Sequence, residues 1–114
     1  MKLCYFNYFL KPKENILGVF NCKLKSITTF QMLSEDGVLV ATNTRLIFCK
    51  VIGEHPHLLQ AYEYKYITNL KLKDKGYLYY KYNGDPVKIS NVDDEDMKKL
   101  VHIINNKDLN KIFI

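Results

Sequence analysis

The fold of this chain is decided by the stretch 37-GVLVATNTRLIFCK-50. Two runs of apolar, mostly β-branched or bulky residues, 38–41 and 46–49, flank a polar turn from Thr42 to Arg45. Two such runs joined by a short polar turn are typical of a β-hairpin. We therefore predict a hairpin here, at the centre of a domain built mainly from strands.

The segment upstream of this hairpin predicts a first strand over residues 16–27. Its second half alternates Cys22 and Leu24 with Lys23 and Lys25, so the lysines should face water. Residues 28–36 fit either an extension of this strand or a packed loop, and we leave their boundaries open. We predict a turn at Asp36-Gly37, because that dipeptide is a common turn signal.

The extreme N-terminal region, residues 3–10, has Leu3, Phe6 and Leu10 at helical spacing. Pro12 follows and blocks continuation of a helix, because it lacks the backbone N–H. We predict a short helix that ends near Leu10.

The segment downstream of the hairpin contains short β-rich runs separated by turn residues, which favours an antiparallel meander. Gly53 to His57 is predicted to be a loop. Leu70 and Leu72 should lie on the core face of their strand, with alternate residues in water. The predicted strands are 58–66, 67–73, 77–82 and 87–90.

A C-terminal helix has the clearest boundary signal. Asp93 is suited to the N-cap position, and Val92 and Met97 can form a hydrophobic staple. An apolar stripe follows at helical spacing, formed by Met97, Leu100, Val101 and Ile104. We expect Asn105-Asn106-Lys107 to end or weaken the helix, leaving 105–114 as an apolar tail that includes Leu109, Ile112, Phe113 and Ile114.

Length and composition bound the class of protein. A chain of 114 residues, of which 47% are hydrophobic, predicts one globular domain over 1–114 with its core at about 10–104. Its apolar runs are much shorter than the roughly 20 residues of a membrane-spanning helix, and residues 1–10 do not resemble a signal peptide. We therefore expect a cytoplasmic protein, in which Cys4, Cys22 and Cys49 are free thiols, mostly buried.

The formal net charge of +5 comes almost wholly from lysine, since Arg45 is the only arginine. Lysine supplies a mobile point charge, whereas arginine grips phosphates and base edges with two parallel donors. Binding to nucleic acid is therefore disfavoured.

Several residues taken in order resemble the YokE-like family of bacterial pleckstrin-homology (PH) domains: Pro12 and Glu14 before the first strand, Thr42 and Arg45 in the hairpin, and Tyr66-Ile67-Thr68 opening the fifth strand. The resemblance implies an α+β, mainly β fold. It would be a PH-like sandwich of about seven antiparallel strands, with a short N-terminal helix and a capping C-terminal helix. Bacterial members resemble adaptor or oligomerising modules more than lipid readers.

The candidate interaction surface is a basic, aromatic patch on adjacent strands, composed of Lys71, Lys73, Tyr77, Tyr79, Lys81 and Lys88. It would suit an anionic membrane, a nucleic-acid backbone or an acidic protein, and the alternative interpretation is an ordinary solvated sheet face. Lys23 and Lys25 are candidate anion contacts, since they stand where eukaryotic PH domains carry a basic pattern. Arg45 is expected to be structural, satisfying carbonyls or pairing with a carboxylate.

No motif for catalysis or for a cofactor is present, so we expect no enzyme activity, no cofactor, no metal and no small-molecule substrate. His55 and His57 could approach a metal, with Cys22 or Cys49 as a third ligand, but the spacing is not that of a zinc site. The predicted function is a non-enzymatic PH-like binding module that acts through protein contacts, as an adaptor, as an inhibitor or by self-association. The alternative is peripheral binding to an anionic membrane.

Overall fold

The computed structural model of the chain describes residues 9–27, 32–73 and 76–112, with the side chains of the C-terminal helix described as far as Asn105. Residues 3–8 of the predicted N-terminal helix therefore lie outside the described residues, as do Cys4, Phe30 and the last two residues of the predicted tail. All statements below concern the described part of the chain.

Seven strands and a C-terminal helix form the described fold, as the sequence predicted. A short 3-10 helix, Tyr64–Tyr66, joins the fourth and fifth strands. The strands are β1 (Ile16–Ile27), β2 (Met32–Thr42), β3 (Arg45–Ile52), β4 (His55–Glu63), β5 (Ile67–Lys73), β6 (Tyr77–Tyr82) and β7 (Asp85–Ser90), and the helix is α1 (Asp94–Ile112).

The strands form one antiparallel sheet in the order β4-β3-β2-β1-β7-β6-β5. The long strand β1 lies at its centre: it pairs with β2 from end to end and with β7 through its second half. The sheet curls round a single main core, because Phe48 of β3 and Tyr80 of β6 belong to the same buried cluster. Helix α1 lies against β1 and the 3-10 helix.

The main core follows the alternation predicted for β1. Cys22 and Leu24 are buried, whereas Lys23 and Lys25 are exposed. The apolar stripe of α1 supplies Met97, Leu100 and Ile104 to the same cluster, and Val92 and Val101 pack against it. The Asp93 carbonyl accepts a hydrogen bond from the Met97 N–H at 2.7 Å, which places Asp93 at the helix start.

The turn predicted at Asp36-Gly37 is wrong, because both residues lie inside β2, opposite Lys23 and Cys22. Gly37 serves close packing there. A Cβ at this position would lie 2.4 Å from the backbone oxygen of Cys49 and 2.8 Å from the Phe48 ring. The glycine therefore permits close contact with β3.

The predicted loop and strand boundaries around β4 also need correction. Only Gly53 and Glu54 form the β3–β4 turn, and β4 includes Pro56. A proline is tolerated there because β4 is an edge strand, where one row of N–H groups has no strand partner. At its other end β4 stops at Glu63, and the 3-10 helix replaces the predicted continuation to Tyr66.

The core position predicted for Leu72 is wrong. Leu70 packs against the main core, but Leu72 is 51% exposed. The register shifts between Thr68 and Lys71, where Asn69 adopts a positive φ of 56°. This bulge, together with the edge position of β5, leaves the end of the strand beyond the cover of the core.

The predicted end of the C-terminal helix at residues 105–107 is wrong, since α1 continues to Ile112. Asparagine costs only a few tenths of a kcal/mol relative to good helix formers. Neither glycine nor proline follows in 105–112 to stop the helix.

A second apolar cluster occupies the opposite face of the β2–β3 hairpin, and the sequence analysis did not anticipate it. It is formed by Val38, Val40, Ile47 and Cys49, with Phe9, Leu10, Ile16, Val19 and Val51 packed against it. The hairpin is therefore buried on both faces. This explains why its two strands are continuously apolar and do not alternate.

Candidate interaction surface

The register of the sheet brings four of the predicted surface residues into one row across four strands. Lys25 of β1 lies directly opposite Lys88 of β7, Lys88 lies opposite Tyr79 of β6, and Tyr79 lies opposite Lys71 of β5. Directly opposed residues in antiparallel strands share a face of the sheet. The row therefore runs across the outer face, away from the main core.

The remaining predicted residues flank this row. Lys73 lies opposite Tyr77, and Lys81 lies between Thr68 and Pro86. The Lys88 ammonium lies 4.1 Å from the centre of the Tyr77 ring, in a cation–π contact. We call this surface the lysine face, and it comprises Lys25, Lys71, Lys73, Tyr77, Tyr79, Lys81 and Lys88.

The lysine face carries uncompensated positive charge. Across the described ranges 9–27, 32–73 and 76–105, the salt bridges join Arg45 to Glu14, Lys50 to Glu35 and Lys65 to Glu63, and none involves the lysine face. Lys25 and Lys88, moreover, are like charges in directly opposed positions, an arrangement that destabilises a sheet. Tyr77 and Tyr79 are half-buried, so their rings form the floor between exposed lysines.

The two candidate anion contacts share the outer face of β1 but have different neighbours. Lys25 belongs to the lysine face, as described above. Lys23 lies opposite Ser90 on one side and opposite Asp36 on the other, so a carboxylate stands beside it. Lys25 is therefore the less compensated of the two.

Two exposed apolar residues extend the face beyond Lys25. Ile27 and Met32 lie opposite each other where β1 and β2 meet their connecting segment, and they are 45% and 66% exposed. Sequence reasoning missed this pair because the boundaries of 28–36 were left open. Extending the alternation of Lys23 and Lys25 by one step would have placed Ile27 on the outer face.

A buried polar cluster around Glu14 lies elsewhere in the fold. Arg45 holds the Glu14 carboxylate through two hydrogen bonds, with Nε 2.9 Å from Oε2 and Nη2 3.2 Å from Oε1. The same Nη2 group donates to the Phe9 carbonyl at 2.8 Å. The hydroxyls of Thr42 and Thr44 lie 2.8 and 2.7 Å from Oε2, and the Lys11 N–H donates to Oε1 at 3.0 Å.

These contacts fix the protonation state of Glu14, whose side chain is only 2% exposed. Burial by itself would raise its pKa, but the hydrogen bonds from Arg45, the Lys11 N–H, Thr44 and Thr42 outweigh burial and lower the pKa to about 2. Glu14 is therefore a carboxylate at neutral pH. Together with Arg45, it ties the segment before β1 to the β2–β3 turn.

The β2–β3 turn is fixed by further hydrogen bonds to the same segment. The Asn43 side chain accepts from the Asn15 N–H at 2.8 Å and donates to the Lys13 carbonyl at 3.2 Å. The Tyr64 hydroxyl donates to the Thr42 carbonyl at 2.7 Å. Glu14, Thr42 and Arg45, which carried the family resemblance, thus meet in one structural cluster.

The remaining candidate residues form no reactive centre in the described structure. Burial raises the pKa of the Cys22 thiol to about 12 and that of the Cys49 thiol to about 11, so both are protonated at neutral pH. His55 and His57 lie on the edge strand β4. Among the described side chains, in residues 9–27, 32–73 and 76–105, no three of His, Cys, Asp or Glu are placed to hold a metal ion.

No helix in the described part of the chain combines the length and the apolar character that a transmembrane crossing requires.

Comparison with solved structures identifies the fold class. The chain is similar to a structure of Vav1 bound to an allosteric inhibitor, with a TM-score of 0.68, 12% identity and coverage of 82% of this chain and 26% of that one. A Vav1 structure described for the structural role of its PH and C1 domains gives a TM-score of 0.65 at 13% identity, covering 82% of this chain and 25% of that one. This chain thus spans about a quarter of the Vav1 chains, and the likeness defines a PH-like fold.

A second kind of similar structure has nearly the same length as this chain. It is the C-terminal domain of an unknown protein from Leishmania infantum, with a TM-score of 0.60, 17% identity and coverage of 89% of this chain and 92% of that one. No curated protein matches the chain in sequence. At identities this low, the structural matches bear on fold alone.

A family model describes most of the sequence. The model of the bacterial PH domain matches residues 10–106, which include all seven strands and α1 as far as Asn106. The chain therefore belongs to the bacterial PH domain family. The predicted PH-like fold is confirmed, and a binding module is the class of protein that this family and fold support.

Proposed function

We propose that this PH-like module is not an enzyme and that it binds an acidic surface of a protein partner through the lysine face. The observation that carries the proposal is the direct opposition of Lys25 and Lys88 across β1 and β7. Like charges in this arrangement cost stability in the free protein. An acidic partner that lies across both lysines would remove that cost on binding.

The aromatic floor of the face favours a protein as the partner. Tyr77 and Tyr79 are already held in place, Tyr77 by the cation–π contact with Lys88 and Tyr79 between two strands. Tyrosine provides contact area at low conformational-entropy cost and is enriched in protein interfaces. The lysines would then supply electrostatic attraction, and the rings would supply packing.

Self-association is the less favoured form of protein contact. The edge strand β5 carries Lys71 and Lys73, and antiparallel pairing of two β5 edges would bring four lysines together. We therefore propose a partner other than a second copy. A monomeric mass in solution is the expected result, and a stable dimer would favour self-association.

The direct test uses affinity capture with charge-matched variants of the full chain. Lys25→Gln/Lys88→Gln removes the opposed pair, and Lys98→Gln/Lys99→Gln removes two exposed lysines of α1. Both doubles lower the net charge equally. A specific protein that is retained by the wild type and by the helix variant, but lost by the sheet variant, supports the proposal; equal loss from both variants would show only a general charge effect.

Attachment to an anionic membrane is the second candidate function, and Ile27 and Met32 favour it. Their exposed side chains adjoin Lys25 on the same hairpin. Apolar side chains beside lysines can enter the headgroup region while the lysines bind anionic lipid. The test is sedimentation with phosphatidylserine vesicles against phosphatidylcholine vesicles, using the wild type and Met32→Ser; strong binding lost in Met32→Ser would favour the membrane over the protein partner.

The finer family assignment and the cellular location are also proposals. We propose membership of the YokE-like branch, supported by the convergence of Glu14, Thr42 and Arg45 in one cluster. We propose a cytoplasmic location, supported by the free, buried thiols Cys22 and Cys49. Nucleic acid stays disfavoured as a ligand, because the cations of the lysine face are all lysines, which lack the paired donors that grip phosphates and base edges.

A further inference from the structure

A groove with a volume of about 430 Å³ opens beside the Glu14–Arg45 cluster. Three segments form its walls: the residues before β1, the β2–β3 turn, and the junction between β4 and the 3-10 helix. The groove is lined by Lys11, Asn43, Thr44, Arg45, Glu63, Tyr64 and Lys65. It shares no residue with the lysine face.

The lining of the groove is positively charged. Lys11, Arg45 and Lys65 contribute three cations, and Glu63 contributes one carboxylate. Glu63 is already paired with Lys65 at 3.4 Å. Even when the buried Glu14 behind Arg45 is included, positive charges outnumber negative ones.

Arg45 is held in one orientation before any ligand arrives. Its Nε and Nη2 atoms donate to Glu14 and to the Phe9 carbonyl, and its side chain is 11% exposed. Its Nη1 atom makes no hydrogen bond to any residue in 9–27, 32–73 or 76–105, although the residue lines the groove. The guanidinium therefore has unused donors and has already lost its conformational freedom, which lowers the entropic cost of binding an anion.

We propose that this groove binds the phosphate group of a small phosphorylated ligand. The unused guanidinium donors would bind phosphate oxygens, and the ammonium groups of Lys11 and Lys65 would add point charges from either side. The volume falls within the range of about 300–1,000 Å³ found for small-molecule sites, so the groove has room for more than the phosphate itself. The same phosphate chemistry could come from a soluble metabolite or from a lipid headgroup.

The test is a titration of the isotope-labelled full chain followed by amide NMR shifts. Inorganic phosphate is the first probe, glucose 6-phosphate the second, and vesicles containing phosphatidic acid the third. We expect the amides of Asn43, Thr44 and Lys65 to shift with phosphate. Binding of glucose 6-phosphate without vesicle binding would identify a soluble ligand, and the reverse would identify a lipid headgroup.

Variants away from the buried cluster keep this test independent of folding. Lys11→Gln/Lys65→Gln should weaken phosphate binding about tenfold, because two charge-assisted contacts are lost. Lys98→Gln/Lys99→Gln on α1 removes the same amount of charge outside both proposed sites and should leave it unchanged, and the spectrum of each variant reports its folding. Shifts confined to β1 and β7, equal weakening in the α1 variant, or no groove shift at about 20 mM phosphate would each overturn the proposal.

The proposal for the groove and the proposal for the lysine face can be tested independently of each other. Loss of the groove proposal would leave partner capture by Lys25 and Lys88 untouched, because the two sites use different side chains. Loss of partner capture would likewise leave the phosphate titration intact.

Discussion

Lys25 and Lys88 lie directly opposite each other on neighbouring antiparallel strands, so the free domain holds two like charges side by side. We predict that Lys25→Thr stabilises the free protein by about 0.5 kcal/mol, because the repulsion disappears, threonine suits a strand, and the cation–π contact between Lys88 and Tyr77 is kept. Urea unfolding measures this difference. The gain should shrink in 1 M salt, which screens the repulsion in the wild type; an equal gain at low and high salt would attribute it to strand propensity alone.

A second prediction concerns the buried ion pair. Glu14→Gln should destabilise the domain by about 3–5 kcal/mol, because Arg45 is left buried without its charge partner. The matched control is Glu63→Gln, which breaks the pair with Lys65 at the surface, where the two side chains are 38% and 56% exposed. That control should cost less than about 1 kcal/mol. Similar losses in both variants would mean that burial does not determine how much the Glu14–Arg45 ion pair contributes to stability.

A third prediction follows from the pKa of Glu14, which the fold lowers from 4.5 to about 2. Because the folded pKa is the lower one, Glu14 stabilises the domain above pH 4.5, and this contribution falls away as the pH drops towards 2. The shift corresponds to roughly 3 kcal/mol. The check is urea unfolding of wild type and Glu14→Gln from pH 6 to pH 2: the difference in stability should narrow across the window, and a constant difference would contradict the prediction.

A fourth prediction contrasts two buried tyrosines. The hydroxyl of Tyr80 is buried and finds no hydrogen-bond partner among the described residues, whereas that of Tyr64 donates to the Thr42 carbonyl at 2.7 Å. Tyr80→Phe should therefore stabilise the domain by up to about 1 kcal/mol, and Tyr64→Phe should destabilise it by about 1–2 kcal/mol. Thermal unfolding compares the two. A marked loss of stability in Tyr80→Phe would show that its hydroxyl is hydrogen-bonded in solution.

A fifth prediction tests the contact between β2 and β3. Gly37→Ala places a methyl group 2.4 Å from the Cys49 carbonyl oxygen, which the backbone can relieve only by moving, so we expect a loss of about 1–3 kcal/mol or more. The control, Gly53→Ala, meets nothing within 4 Å but has a φ of +65°. Its cost should be about 1–2 kcal/mol, from the backbone alone. Loss of amide NMR signals around Cys49 in the Gly37 variant only would locate the strain.

The strands were predictable from sequence where one face of the strand is exposed to solvent and the other packs in the core. In β1, Lys23 and Lys25 alternate with Cys22 and Leu24, and the predicted bounds 16–27 agree with the structure. The start of α1 was equally clear, because Asp93 suits the N-cap position and Met97 stands four residues later, where the first helical hydrogen bond forms. Local patterns of this kind report local structure without reference to the rest of the fold.

The errors arise where a distant contact overrides the local pattern. Gly37 resembles a turn residue, but its role is set by Cys49 on the next strand. Pro56 resembles a loop residue, but an edge strand accepts it. The bulge at Asn69 displaces Leu72; asparagine tolerates a positive φ, but an asparagine within a strand pattern does not by itself specify a bulge.

The candidate site was predictable only as a set of residues. The lysines and tyrosines of the face were named from alternation, but the opposition of Lys25 to Lys88 depends on the pairing of β1 with β7, which are far apart in sequence. The groove beside Arg45 was not foreseen, because it joins three segments that are distant in sequence. Register and topology supply this information, and a single sequence does not.

The central position of β1 also has a kinetic consequence. Leu24 is fully buried and lies between Glu35 of β2 and Ile89 of β7, so opening β1 at this point would break the hydrogen-bond ladders on both sides at once. Backbone amides near Leu24 should therefore exchange with deuterium only when the whole domain unfolds, whereas those of the edge strands β4 and β5 should exchange through local fraying. The slowest-exchanging amides would then report the global stability of this domain directly.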